Sequence, residues 1–166
     1  MNTIPCYCGS NTYFHLCCHP YILGENTPEI PEQLMRSRYS AYATNNAKYI
    51  FNTYAQSKQK ENTLDDIIQW AQNTHWLKLV VNYSTPQRLA NFSSENLPTV
   101  SFDAYYIHQQ QLYKMSECSR FIVEQGQWRY LEGDVAEHIK LIRPKRNDLC
   151  FCLSGKKFKK CCGQNL

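Results

Sequence analysis

The hydrophobic and polar residues of the middle region first follow a helical period. Residues 31–44 carry apolar side chains at positions i, i+4 and i+7, and Pro31 suits the first turn of a helix. The residues that would share one face are Met35, Tyr39 and Tyr42. We therefore predict a helix over 31–44 and a second helix over 46–54. A third helix should begin at Thr63, because T-x-x-D ahead of the apolar run IIQW is similar to a capping box.

From residue 76 onward the pattern changes to a period of two, which is typical of strands with one buried face. The predicted strands cover 76–83, 100–108, 112–124 and 127–135. In the second strand, the residues expected on one face are Val100, Phe102, Ala104 and Tyr106. Helices followed by antiparallel strands predict the α+β fold class.

The length and composition fit one domain with small appendages. The chain has 166 residues, of which 43% are hydrophobic and 19% charged, which is enough to bury a core. The sequence contains no run of about 18 apolar residues, and its N-terminus lacks the basic and apolar regions of a signal peptide. These features favour a cytoplasmic protein, in which cysteine thiols stay reduced.

Eight of the nine cysteines lie in two clusters at the ends of the chain. The first cluster is Cys6, Cys8, Cys17 and Cys18, and the second is Cys150, Cys152, Cys161 and Cys162. Both clusters read C-x-C-x8-C-C, and a shift of 144 residues superimposes them. The same spacing at both ends indicates a small repeated module rather than a repeat of the whole chain.

Four thiolates around one divalent ion form a closed tetrahedral site of the structural type. A loop this short cannot bury a core, so the metal would supply its folding energy, on the order of 10 kcal/mol. We therefore expect one zinc ion per cluster and two per chain, with iron as the chemical alternative.

Other roles for the cysteines remain open from the residues alone. Disulfides would need strained pairings and an oxidising compartment. Redox catalysis usually employs C-x-x-C, a spacing that neither cluster shows. His19 directly follows Cys18 and competes with it as the fourth ligand of the first site. Cys118 stands alone in a predicted strand and is interpreted as a small core residue.

The C-terminal copy, CFCLSGKKFKKCCG, resembles the SEC-C zinc module, and the N-terminal copy keeps the cysteines but lacks the lysines. The whole chain resembles the YchJ (UPF0225) family, through LMRSRYSAY, HWLKLVV, SRFIVEQGQWRYLEGD and both modules. The resemblance implies an NTF2-like cone, in which helices pack on a curved antiparallel sheet, flanked by two zinc knuckles. The implied boundaries are 1–24 for the N-terminal knuckle, 28–138 for the NTF2-like domain and 145–166 for the C-terminal knuckle. It implies no established reaction.

Charge differs sharply between the two modules. Residues 143–162 hold seven basic residues and one acidic residue, whereas residues 1–24 hold no Lys, Arg, Asp or Glu. Four lysines lie in the C-terminal loop: Lys156, Lys157, Lys159 and Lys160. They either offset the negative charge of a four-thiolate metal centre or form a docking surface for an acidic partner, such as RNA, a ribosome, an acidic protein or anionic lipid. The N-terminal module is then expected to pack on the core while the C-terminal module reaches the partner.

Two functions of different classes follow from these patterns. The first is a zinc-binding adaptor that docks through the basic C-terminal module, without catalysis. The second is an enzyme or small-molecule binder that uses a cavity in the NTF2-like cone, with acid–base candidates His75, Asp103, His108 and Glu117. Redox sensing by the cysteine clusters is a third hypothesis. Arg36 and Arg38 are expected either to bind buried acids or carbonyls or to lie on a solvated face.

Overall fold

The computed structural model describes residues 4–151 and 154–165. Among them, a short helix, α1 (His19–Leu23), precedes the central helix, α2 (Pro31–Ala43). The side-chain oxygen of Gln33 accepts hydrogen bonds from the backbone N–H groups of Glu29 and Ile30, at 2.7 and 3.3 Å. Those bonds satisfy donors that the start of a helix otherwise leaves unpaired. The helix predicted over 31–44 is therefore confirmed as α2, which ends one residue earlier than expected.

Two further helices follow the central one. They are α3 (Ala47–Asn52) and α4 (Leu64–Asn73). Helix α4 begins where the capping-box pattern predicts, because the Thr63 hydroxyl accepts a hydrogen bond from the backbone N–H of Asp66. Helix α3 ends two residues earlier than predicted, because the chain after it pairs with a strand. No helix in the described part of the chain is both long enough and apolar enough to cross a membrane.

The strands form one antiparallel sheet in the order β1-β2-β3-β4. They are β1 (Thr74–Ser84), β2 (Thr99–His108), β3 (Gln111–Glu124) and β4 (Gln127–Lys140). The predicted alternation in β2 is confirmed, since the four residues expected on one face are all buried. Helix α2 packs against β1, β2 and β4, so the helices cover one face of the sheet. This is the α+β fold that the sequence predicts.

The two faces of the sheet have different chemistry. The face under the helices buries large apolar side chains, including Phe121 and Trp128, which are 0% and 1% exposed. The opposite face carries ion pairs, such as the one between Arg120 and Asp134 at 2.7 Å. Tyr105 is an exception on this outer face, because it is buried beneath Phe151 of the C-terminal segment, with ring centroids 5.4 Å apart.

Candidate metal centres

The N-terminal loop folds back on itself and brings four sulfur atoms together. Its two arms are joined by a hydrogen bond from the Cys6 N–H to the Thr12 carbonyl at 2.8 Å. Gly9 lies between them with a φ of 74°, which glycine adopts without steric cost. A Cβ atom at Gly9 would also lie 3.3 Å from the carbonyl oxygen of Leu79 on β1. The turn therefore depends on glycine for its conformation and for its close approach to the sheet.

The distances between the sulfurs fit a four-thiolate metal site. The Sγ atoms of Cys6, Cys8, Cys17 and Cys18 all lie within 4.8 Å of one another. The Cys8–Cys17 and Cys17–Cys18 distances are 3.7 and 3.8 Å. A tetrahedron with Zn–S bonds near 2.3 Å has edges of about 3.8 Å. A disulfide bond is only about 2.05 Å long, so these sulfurs are spaced for a shared ion rather than for a disulfide.

Hydrogen bonds from the surrounding residues hold the N-terminal loop in place. The Ser10 hydroxyl lies 3.1 Å from the Cys17 sulfur, and the Ser40 hydroxyl of α2 lies 3.7 Å from the Cys6 sulfur. Arg36 donates a hydrogen bond from Nη1 to the Cys8 carbonyl at 2.8 Å. Helix α2 therefore positions both halves of the first C-x-C pair. Such second-layer contacts fix the orientation of sulfur ligands.

The protonation of the thiols shows why this cluster favours a cation. Hydrogen bonds from the Cys18 and Cys8 thiols lower the pKa of Cys6, and in return the pKa of Cys18 is raised. Burial raises the pKa of Cys17 to about 11. Four negative charges this close together would repel one another. A divalent ion would offset that repulsion and be bound by thiolates.

The C-terminal cluster brings together three of its four predicted ligands. The Sγ atoms of Cys150, Cys161 and Cys162 lie within 4.8 Å of one another. Cys152 lies outside the described residues. Three sulfurs at this spacing leave the fourth tetrahedral position to be filled, and the C-x-C-x8-C-C pattern assigns it to Cys152 as a prediction.

The backbone of the two loops repeats with the same offset of 144 residues as the sequence. The matching pairs are Cys6 N–Thr12 O with Cys150 N–Lys156 O, both 2.8 Å, and Phe14 N–Ile4 O with Phe158 N–Asp148 O, at 2.9 and 2.8 Å. Ser154 is the counterpart of Ser10, and its hydroxyl lies 3.2 Å from the Cys161 sulfur. These serines are site residues that the cysteine spacing alone does not reveal, although both belong to Gly-Ser or Ser-Gly pairs in the sequence.

The two clusters have different surroundings. In the first, Cys6, Cys8 and Cys18 belong to the main core of the molecule together with residues of α2 and the sheet. In the second, Cys150 and Cys162 form a separate small core with Phe158. The C-terminal module also contacts the sheet, where Phe151 packs against Tyr105.

The predicted docking lysines lie on the surface of the C-terminal module. Three of them, Lys156, Lys157 and Lys160, are exposed, and Lys159 is half-buried. None of the four forms an ion pair with any residue in the described ranges. The nearby carboxylate of Asp148 instead accepts a hydrogen bond from the backbone N–H of Lys145 at 2.8 Å.

Comparison with known proteins identifies relatives over nearly the whole chain. Residues 30–133 match the family described as YchJ, middle NTF2-like domain, and residues 146–164 match the SEC-C motif. The UPF0225 protein YchJ of Shigella dysenteriae is 40% identical over 161 residues, which cover 96% of this chain and 97% of that protein. The chain belongs to the YchJ family.

Solved structures of SEC-C motif proteins share the fold of this YchJ-family chain. One is the solution structure of a SEC-C motif containing protein from Rhodopseudomonas palustris, with a TM-score of 0.70 and 28% identity, covering 81% of this chain and all of that one. Another is the crystal structure of a SEC-C motif containing protein from Psychrobacter arcticus, with a TM-score of 0.66 and 28% identity, covering 100% and 98% of the two chains. The NTF2-like fold predicted by the resemblance is thereby confirmed.

The remaining candidate residues of the YchJ-family chain do not join the sulfur clusters. His19 packs against Phe14, with ring centroids 4.9 Å apart, and lies outside the group of four sulfurs. Cys118 is half-buried on the outer face of β3, so its interpretation as a core residue is wrong. Arg36 and Arg38 both bind backbone carbonyls, those of Cys8 and Ile50.

The acid–base candidates are dispersed over the sheet. His75 is exposed on β1, and the Nδ1 atom of His108 lies 3.1 Å from the Thr74 hydroxyl. Asp103 accepts a hydrogen bond from Ser116 on the outer face at 2.5 Å. Glu117, by contrast, lines a cavity under the helices. The structure thus places Glu117 and Asp103 on opposite faces, so they cannot act together.

Proposed function

We propose that this YchJ-family protein is a zinc-binding interaction protein, with one ion in each cysteine cluster. The matching sulfur geometry of the two loops carries this proposal. Within each cluster the described sulfurs lie within 4.8 Å of one another, which a tetrahedral thiolate site can accommodate. Four thiolates fill every position of such a site and leave none for a reacting water, so the role of the metal is structural. Ligands of the first ion are Cys6, Cys8, Cys17 and Cys18, and those of the second are Cys150, Cys152, Cys161 and Cys162.

The C-terminal module is the docking element in this proposal. Its lysines are not engaged by carboxylates within the described ranges, and residues 143–162 carry a net charge of about +6. The first module has no charged Lys, Arg, Asp or Glu side chain and is built into the core, so it has little to offer an acidic partner. The module with the lysines therefore binds an acidic surface, such as that of a ribosome or an acidic protein.

The first test measures metal and docking on the same samples. Purified protein is expected to contain two zinc ions per chain. The test variant replaces four lysines together by Gln: Lys156, Lys157, Lys159 and Lys160. The variant should keep both ions but lose co-sedimentation with purified ribosomes at low salt, because counterion release drives such binding.

A control removes three exposed lysines that form no ion pair within the described ranges, namely Lys48, Lys60 and Lys140. This control should sediment with ribosomes like the wild type. Equal sedimentation of both variants would refute docking through the C-terminal module. Protein purified gently without zinc or iron would refute the metal assignment.

A further inference from the structure

A cavity of about 290 Å³ lies between the helices and the inner face of the sheet. Its walls are mainly aromatic, with contributions from Tyr39, Tyr42, Tyr54, Trp70, Trp76 and Tyr130. Water occupies about 30 Å³ per molecule in the liquid, so the space equals roughly ten waters. It is therefore large enough for one aromatic ring with a polar substituent.

Arg38 lines this cavity and is a buried cation without an anionic partner. It is 6% exposed, and no carboxylate oxygen of the described residues lies within 4.0 Å of its guanidinium. Its two hydrogen bonds, to Ile50 O at 2.8 Å and Thr53 Oγ1 at 2.7 Å, both use Nη1. The Nε and Nη2 donors, which form one edge of the fork, make no hydrogen bond within the described ranges. The rings of Tyr54 and Tyr130 cover the guanidinium, with centroids 4.3 and 4.6 Å from its carbon, and leave this edge as the part that can bind an anion.

Tyr39 and Trp76 form one side of the cavity wall and contact each other, with ring centroids 5.3 Å apart. The hydroxyl of Tyr39 and the indole N–H of Trp76 have no hydrogen-bond partner among the described residues, but both atoms are fully buried and present no surface to the cavity. These two side chains therefore give the wall its aromatic shape, and Arg38 supplies its charged donor.

The acidic residue in the cavity limits the charge of an occupant. Oε1 of Glu117 accepts hydrogen bonds from Ser119 at 2.6 Å and from Tyr130 at 3.0 Å. Burial raises the pKa of Tyr130 well above its usual range, so its hydroxyl stays protonated and continues to donate. Glu117 and Arg38 together leave the cavity formally neutral, so it would repel a dianion more strongly than an occupant with one negative charge.

We propose that this cavity binds a small aromatic monocarboxylate, with its carboxylate on the Nε and Nη2 edge of Arg38. Two carboxylate oxygens match the fork of a guanidinium. The ring of the ligand would lie among the aromatic side chains, in a space that holds one ring. This binding site is independent of the cysteine clusters and of docking by the C-terminal module.

The test titrates metal-loaded protein with benzoate and cinnamate and follows tryptophan fluorescence, since Trp70 and Trp76 line the cavity, with calorimetry as a second measurement. At least one acid should saturate with a Kd of about 1 mM or tighter. Benzamide, which lacks the charge, should bind at least about tenfold more weakly than benzoate. Failure of both acids to saturate would overturn the proposal.

Single substitutions test whether the ligand binds at Arg38 in this cavity. Arg38→Gln should abolish binding, and Arg38→Lys, which keeps the charge but loses the fork, should weaken it at least about tenfold. Trp70→Ala removes a partly exposed ring from the cavity wall and should weaken binding severalfold, as measured by calorimetry. Arg88→Gln, at an exposed arginine outside the cavity wall, is the matched control and should bind like wild type. If the Arg38 variants do not fold, Trp70→Ala decides. Wild-type affinity in Trp70→Ala would place the ligand elsewhere and overturn the proposal.

Discussion

Gly133 has no side chain, and the carboxylate of Glu117, which lines the cavity, occupies the space where one would lie. It pairs with Ser119 across the β3–β4 ladder. A Cβ atom at Gly133 would overlap the carboxylate of Glu117 and lie 2.8 Å from its Cγ. The same carboxylate is held by Ser119 and Tyr130, so it has little freedom to move aside. Glycine at this strand position therefore makes room for the acid.

We expect Gly133→Ala to lower the free energy of unfolding by about 1–3 kcal/mol, because the methyl group displaces Glu117 from its hydrogen bonds. Urea denaturation measures the change. In a Glu117→Ala background the clash is absent, and Gly133→Ala should be neutral or stabilising, since alanine restricts the unfolded chain more than glycine does. An equal loss in both backgrounds would show that the two residues do not interact in this way.

The predictability of single residues depends on whether their partners lie close in sequence. The cysteine pattern repeats locally, and so it predicts which sulfurs come together, including Cys6, Cys18 and Cys162. Arg38 is different, because its neighbours Tyr54 and Tyr130 come from distant segments and lie 4.3 and 4.6 Å from its guanidinium carbon. No local spacing in the sequence indicates such a contact, so the environment of Arg38 could not be predicted.

At the scale of elements, helix α4 follows from a local signal. The Thr63 hydroxyl accepts the Asp66 N–H at 3.3 Å and donates to the Asp66 carboxylate at 2.6 Å. Asp65 and Asp66 also place negative charge in the first turn, where the helix dipole favours it. Because α4 carries Trp70, this cap also positions one wall of the cavity.

Thr63→Ala should therefore lower the free energy of unfolding by about 1 kcal/mol. Thr63→Ser keeps the hydroxyl and should lose much less. Thermal or urea unfolding compares the two variants with wild type. A serine variant as unstable as the alanine variant would mean that the methyl group of Thr63, rather than its hydroxyl, supports the helix.

The element boundaries that the sequence misses are set by long-range pairing. The helix expected over 46–54 is α3, and it ends at Asn52 because Thr53 and Ala55 exchange backbone hydrogen bonds with Tyr130 of β4, at 2.9 and 2.8 Å. Strand β4 extends beyond the expected residue 135 to Lys140, because β3 is long enough to pair with it as far as Tyr113. The hydrophobic period of one segment cannot predict the length of the strand with which that segment pairs.

At the scale of the whole molecule, the two cysteine modules differ in how they are tied to the core. The first shares its core with Leu34 of α2 and Leu79 of β1. The second has its own small core and meets the sheet through Phe151 and through the turn Cys162–Asn165. Loss of the two proposed zinc ions should therefore have unequal consequences for stability.

We expect Cys8→Ser to remove one zinc ion and to lower the main melting temperature by about 10 °C, since a lost metal site inside the core costs several kcal/mol. Cys161→Ser should also remove one ion but shift the main transition by less than about 3 °C. Calorimetry and zinc analysis of the same samples measure both effects, with Cys118→Ser as the control that keeps two ions. Equal shifts for the two cluster variants would contradict the difference in packing.

Strand β1 is an edge strand, so within the described part of the chain one of its backbone edges has no neighbouring strand. The N-terminal loop lies close to that strand at Leu79, and the C-terminal turn Cys162–Asn165 also approaches it. Exposed strand edges are templates on which other chains can add. Because the proposed metal clusters would hold both of these segments in shape, we expect a chelator to leave this edge less covered and the protein more prone to self-association, which light scattering would measure.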